Sequence, residues 1–409
     1  MLDRAALLED LRRHAFAPSA GPPLIGAEVE LLVLTDAGLP VPIVAPEGPA
    51  SLPLLREVAE RHGWLEEATS HGAPHWLVPQ RGIVHFEPGG QLEISSLPFA
   101  SLSELLAMLD EVTGALCRAA PRHGIRLLGA GIDPLNPVER IPLRLEGARY
   151  GRMAEYLEGI GPAGARMMRQ TASIQVNLDW GAAGEAPLRW RVLNAAAPYV
   201  LAIFANSPLY EGRPTRHRSY RAAQWRALDP TRTGVFASSH EPVREYLDYA
   251  LAAPAILLDS DGTPRFATAL EQGATFADWR THLSTLFPEI RPKGFVAVRT
   301  PDALPPEWYA APLVLLAGIA YAPEALRAAD AQLGDADAEL LAAAGERGLA
   351  DPRIAAVSRQ LWEMAFAGCR ELGQRFVNGA TLERAADFAA RYTARGRSPA
   401  DDAMPLAAS

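Results

Sequence analysis

Two glutamates stand two residues apart in Ile25-Gly26-Ala27-Glu28-Val29-Glu30, inside an apolar, strand-like stretch. On a strand, positions i and i+2 point to the same face. Two carboxylates side by side repel each other unless a cation lies between them. Hard cations such as Mg²⁺ take oxygen ligands, commonly one or two carboxylates together with substrate phosphates. Alone, the pair describes a solvent-facing strand edge equally well. A second set, His85-Phe86-Glu87-Pro88-Gly89-Gly90-Gln91-Leu92-Glu93, adds two more carboxylates. His85 and Glu87 share one face of a strand, Gln91 and Glu93 share a face of the next, and Pro-Gly-Gly makes the turn. That hairpin brings Glu87 near Glu93, with Phe86 and Leu92 on the apolar side. Four glutamates on the polar floor of one sheet are costly without a metal, so Glu28, Glu30, Glu87 and Glu93 are the candidate ligands.

Three further stretches could face the same cavity. From Thr171 to Asp179 polar and apolar residues alternate strictly, the period of a half-buried strand. Its polar side offers Arg169, Thr171, Gln175, Asn177 and Asp179. Glutamine and asparagine carry both donors and acceptors, which suits a polar ligand, a metal's surroundings or simply a hydrated sheet face. Residues 213–232 form an arginine-rich loop holding Arg213, Arg216, Arg218, Arg221, Arg226 and Arg232, with Trp225 among them. Guanidinium forks match carboxylate and phosphate geometry. Residues 294–299 make a last strand, and Arg291, Lys293, Phe295, Ala297 and Arg299 fall on one strand parity. Three cations on one side point to an anion site such as ATP phosphates. Lys293 is the only lysine in the chain, so arginine is the default cation here and a single arginine says little.

The elements that must position these groups read as mixed. Strands are expected over 24–34, 76–78, 83–87, 91–95, 125–131 and 171–179. Helices are expected over 52–62, 187–204, 242–252 and 276–287, with one from Ser101 to about 122. Ser101 caps that helix, with Glu104 in capping-box position. Alternating strands imply an antiparallel sheet with one face on a core, and helices packed behind it: an α+β architecture. Residues 1–395 are expected to be a single catalytic domain, helical from about 305, with 396–409 a disordered tail.

The 409 residues are 49% hydrophobic and 21% charged, with net charge −9, an ordinary globular composition. An acidic chain disfavours nucleic acid as a partner. No apolar run reaches the roughly 18 to 20 residues of a membrane span, and the first sixteen residues read as an amphipathic helix rather than a signal peptide. Cytoplasm and no membrane partner are therefore expected, and the oligomeric state is left open. Cys117 and Cys369 lie far apart in Ala-rich helical segments and read as buried small apolar residues.

Several stretches together resemble the plant-type glutamate–cysteine ligases, which share a superfamily with glutamine synthetase. They are residues 25–30, 86–93, 167–171 with 175–179, Phe204-Ala205-Asn206-Ser207-Pro208, Trp225 with Asp229 and Arg232-Thr233-Gly234, and His282 to Arg291. They occur in the family's order and span most of the chain. Arg291-Pro292-Lys293-Gly294 leans toward the bacterial enzymes of ergothioneine synthesis. The resemblance implies a glutamine synthetase-like fold and an ATP-dependent reaction. Glutamate's γ-carboxyl is phosphorylated, and the cysteine amine displaces phosphate to give γ-glutamylcysteine for glutathione or ergothioneine. By the same resemblance Glu28, Glu30, Glu87 and Glu93 hold Mg²⁺, or Mn²⁺, bridging ATP and glutamate. Arg169 and Arg221 bind glutamate carboxylates. Arg291 and Lys293 meet phosphate, Arg232 contacts the nucleotide, and Arg299 neutralises the transition state. Tyr150 and Trp225 wall the pocket, with Gln175 and Asn177 beside the substrate. One departure stands out: Ala297 occupies a place where the family carries a glutamate.

Overall fold

The computed structural model describes residues 2–237, 241–258 and 262–403. The strands that matter are β1 (Ile25–Thr35), β2 (Leu65–Glu67), β3 (His75–Val78), β4 (Gly82–Phe86), β5 (Leu92–Ser96), β6 (Ile125–Leu128) and β7 (Ile174–Leu178). A closing hairpin adds strands Ile290–Pro292 and Val296–Val298. Together they form one sheet in the order closing hairpin, β7, β1, β5, β4, β3, β2, with β6 on the far end of β1. All these pairings are antiparallel. β1 is central because both of its edges are used, by β5 and by β7.

Alternation sets what each face does. Ala27, Val29 and Leu31 of β1 are buried, as are Ile174, Val176 and Leu178 of β7 and Ile94 of β5. Each buried Val, Leu or Ile side chain contributes about 1.5–3 kcal/mol by leaving water. Helices cover that apolar face. Leu102–Ala119 packs on β1 and β5, and Ala310–Tyr321 packs on β7. The expected cap is present, with Ser101 Oγ accepting from the Glu104 amide at 3.3 Å. All twelve residues of Ala310–Tyr321 are buried. An all-round apolar helix of that kind belongs in a protein core. Among the described residues no single helix is long and apolar enough to cross a membrane.

Four expectations need correction. The last strand, expected over 294–299, spans Val296–Val298, and Arg291 lies not on its extension but on a partner strand, across a turn at Gly294, whose φ of +81° is the left-handed conformation that favours glycine. Arg291 still faces the same side as Ala297, because directly paired residues in an antiparallel pair share a face. The arginine-rich stretch is not all loop, since Tyr220–Arg226 is a helix capped by Ser219. Residues 396–403 are packed rather than a free tail. Ala400 is fully buried, and its amide donates to Ala205 O. Residues 404–409 of that expected tail lie outside the described residues. Cys369 is buried as expected, but Cys117 is only partly so; neither forms a disulfide.

Two helices were absent from the expected set, Ala148–Ile160 and Pro162–Gln170. They stand over the polar face of the sheet on a small apolar cluster of their own, in which Met153, Leu157, Met167 and Met168 meet Leu228, Ile256 and Phe287.

Candidate active site

The polar face of the sheet is the floor of a cavity of about 380 Å³, within the range of small-molecule sites. Glu28, Glu30, Glu87 and Glu93 all line it. Strand register brings them together: Glu30 pairs with Glu93, and Glu93 pairs with His85. The Pro-Gly-Gly turn forms as the sequence implies, with Phe86 opposite Leu92. Gly89 is required there, because a Cβ would stand 2.0 Å from the Arg169 carbonyl oxygen.

The carboxylates are not equivalent. Glu30 accepts from Ser173 N at 2.9 Å, Ser173 Oγ at 2.9 Å and Gln175 Nε2 at 3.1 Å. Burial, and then the neighbouring charge of Glu93, nevertheless push it up to about 7. Glu87 rises well above the usual carboxylate range for the same two reasons. Glu93 goes the other way. Burial opposes its charge, but the His85 imidazole at 3.2 Å and the Ser95 hydroxyl at 2.6 Å outweigh that and hold it at about 2. Glu28 accepts from Asn177 Nδ2 at 3.1 Å and lies 3.8 Å from Lys293 Nζ. Crowded acids with raised values are what a bound cation would relieve. The donors are mostly carboxylate oxygens, so these residues fit a divalent metal.

Beside the glutamates, Arg291, Lys293 and Arg299 of the closing hairpin continue the same sheet as a cationic flank, and Arg149 joins them from helix Ala148–Ile160. Arg299 donates to Gln175 Oε1 at 2.9 Å and lies 5.5 Å from the Trp225 ring centroid. Arg291 donates to the Leu283 carbonyl at 2.9 Å, and burial followed by the nearby Arg299 lowers its pKa. Tyr150 and Trp225 are walls, as expected, and Gln175 lines the cavity too. Asn177 sits one row further along the sheet and reaches the site through Glu28. Ala297 is fully buried opposite Asn177 and Arg291, so no carboxylate stands in that row.

Three arginines read as ligand contacts do not line the cavity. Arg169 pairs outward with Glu158 at 3.0 Å. Arg221 is buried behind Arg299 and donates to the carbonyls of Arg299 at 2.9 Å and Thr300 at 3.3 Å. It thereby holds the end of the last strand, helped by the buried Asp302 at 3.7 Å. Arg232 is wholly buried and spends its donors on Asp229 at 3.0 Å, Thr285 and Pro254 O. Burying a guanidinium is tolerable only when it is fully paired. Arg232→Met should therefore cost about 3–5 kcal/mol by stranding the Asp229 charge. Chemical denaturation measures that loss; if stability is unchanged and only nucleotide affinity falls, the scaffolding role is wrong.

Other residues line the site as well. His85 shares a face with Glu87 and stands among the carboxylates. Arg149, Met153, Met167 and Met168 come from the two unexpected helices. Only the alternation of His85 with Glu87 was a signal available in the sequence.

A sequence model described as glutamate–cysteine ligase family 2 matches residues 24–368, and the chain belongs to that family. It is 32% identical over 270 residues to the chloroplastic glutamate–cysteine ligase of Brassica juncea, covering 62% of this chain and 52% of that one. It is also 32% identical over 346 residues to the glutamate–cysteine ligase EgtA of Mycolicibacterium smegmatis, covering 80% and 78%. The matched region is thus about half the length of the plant relative. Among solved structures, a Francisella tularensis glutamate–cysteine ligase in complex with AMP aligns over 93% of this chain and 90% of that one. Its TM-score is 0.48 and its identity 13%.

Proposed function

We propose that this chain is an ATP-dependent ligase that joins the γ-carboxyl of glutamate to the amine of cysteine through a γ-glutamyl phosphate. The observation that carries the reading is one cavity with four glutamates on its floor and Arg291, Lys293 and Arg299 beside them. Phosphoryl transfer is mostly positioning and charge neutralisation, and this site separates those two tasks. A divalent cation, Mg²⁺ or Mn²⁺, held by Glu28, Glu30, Glu87 and Glu93 would draw charge from the phosphates. Arg291 and Lys293, on the adjoining hairpin, orient anionic oxygens from the flank of the same floor. Arg299, held by Gln175 and backed by Arg221, supplies fixed positive charge where the acyl phosphate forms. Tyr150, Trp225 and the methionine-rich helices exclude water, which would otherwise hydrolyse that intermediate. A small-molecule ligase needs neither nucleic acid nor membrane as partner, and the reading takes the chain as one catalytic domain.

The test is phosphate release from ATP with glutamate and a panel of amines. Cysteine should drive release at least tenfold above glutamate alone, with γ-glutamylcysteine as product. Release with a different amine only would replace cysteine as acceptor. No release with any amine, despite ATP binding, would leave a non-catalytic binding protein.

A further inference from the structure

His85 enters the metal floor from β4, and its place there is fixed by strand register rather than by chance rotation. It pairs directly with Glu93 across the β4–β5 ladder. Its Nε2 lies 3.2 Å from Glu93 Oε1, and its Nδ1 lies 3.9 Å from Glu87 Oε1. One ligand atom from each of His85, Glu87 and Glu93 falls within 4.8 Å of the others, the spread of donors around a single ion. The ring lines the cavity and is 31% exposed, so solvent and ion can reach it.

The other ring nitrogen has its own partner. Nδ1 lies 3.4 Å from the Phe86 carbonyl oxygen. An imidazole that ligates a metal typically donates its second N–H to a carbonyl or carboxylate, which fixes the tautomer and the ring plane. In the metal-free chain a proton lies between Nε2 and Glu93 Oε1; with Nδ1–H kept on Phe86 O, a cation that displaced that proton would meet the Nε2 lone pair. Ser95 completes the arrangement by donating to Glu93 Oε1 at 2.6 Å, leaving its other oxygen for an ion.

We infer that His85 is a nitrogen ligand of the cation held at Glu87 and Glu93, and that it shifts this site's preference from Mg²⁺ toward Mn²⁺. Imidazole suits first-row transition metals, whereas Mg²⁺ strongly favours oxygen. This rests on the ligase reading only in taking a divalent cation as resident. The experiment uses no substrates, so its failure leaves that reading standing, and a missing ligase activity would leave the inference standing.

The 409-residue chain is stripped with a chelator and titrated with Mn²⁺ alone, free Mn²⁺ being counted by its electron spin resonance signal. Pulsed measurements on the bound ion should show nitrogen-14 modulation from one imidazole. His85→Ser should lose the modulation and bind Mn²⁺ at least about tenfold more weakly. Mg²⁺ affinity, read by competition, should change far less. The wild-type spectrum needs no variant, so a misfolded His85→Ser does not spare the idea. No nitrogen modulation in the wild type overturns it. So does a variant that binds Mn²⁺ as tightly or more tightly, which would mean that His85 is an imidazolium standing in the cation's place.

Discussion

Glu30→Gln is expected to reduce turnover by about 10²–10³-fold, the usual cost of removing one preorganised charge from a transition state, while sparing the metal-free protein a loss of stability as pH rises from 5 to 8. Glutamine fills nearly the same volume and keeps one acceptor oxygen, but its NH2 must face either Ser173 N or the Ser173 Oγ and Gln175 Nε2 donors, a pH-independent cost of about 1–3 kcal/mol. What it removes is a charge that the folded chain bears at a cost. Glu30 is raised from the usual 4.5 to about 7 by burial and by Glu93. A group whose value is raised on folding adds stability below its unfolded value, and that stability is lost as pH rises through the folded value. Wild type should therefore lose stability between about pH 4.5 and 7 relative to the variant. From pH 5 to pH 8 the variant should gain about 2–3 kcal/mol on wild type. Melting curves at the two pH values, with chelator present, measure this. Added Mn²⁺ or Mg²⁺ should stabilise wild type more than the variant. A variant that keeps normal turnover would remove Glu30 from the metal floor.

Arg299→Ala should lower kcat by about 10²–10³-fold, with Arg299→Lys falling between. The guanidinium is held by Gln175 and lies near the Trp225 ring, while the buried Arg221 fixes its own carbonyl. Such a charge needs no rearrangement when the acyl phosphate forms. Lysine keeps the charge but not the planar fork, so it loses the hydrogen-bond geometry. Phosphate release at saturating ATP, glutamate and cysteine is the measurement. If alanine leaves kcat within tenfold and raises only a KM, Arg299 contributes to ground-state binding instead.

The floor of the site was legible because strands write their faces into the sequence with period two. Glu28 with Glu30, Glu87 with Glu93, and Gln175 with Asn177 each declare a side, and pairing register does the rest. The last strand was half legible. Its parity survived, although Gly294 folds it into a hairpin, because antiparallel partners share a face. Arg169, Arg221 and Arg232 were not legible. A buried guanidinium that ties backbone carbonyls and one that waits for a ligand are the same letter, and only tertiary placement separates them. The two helices over the cavity were hidden for another reason. Ala148–Ile160 buries only Met153 and Leu157, too little apolar periodicity to announce a helix. The part of the site that approaches the substrate from above is therefore the part least written into local pattern.

Gly89 joins those two parts. The hairpin that carries Glu87 and Glu93 presses its turn on the last residues of helix Pro162–Gln170, leaving no room for even a methyl group. Sheet floor and helical roof are thus in backbone contact at that point, and any side chain at position 89 would have to prise them apart.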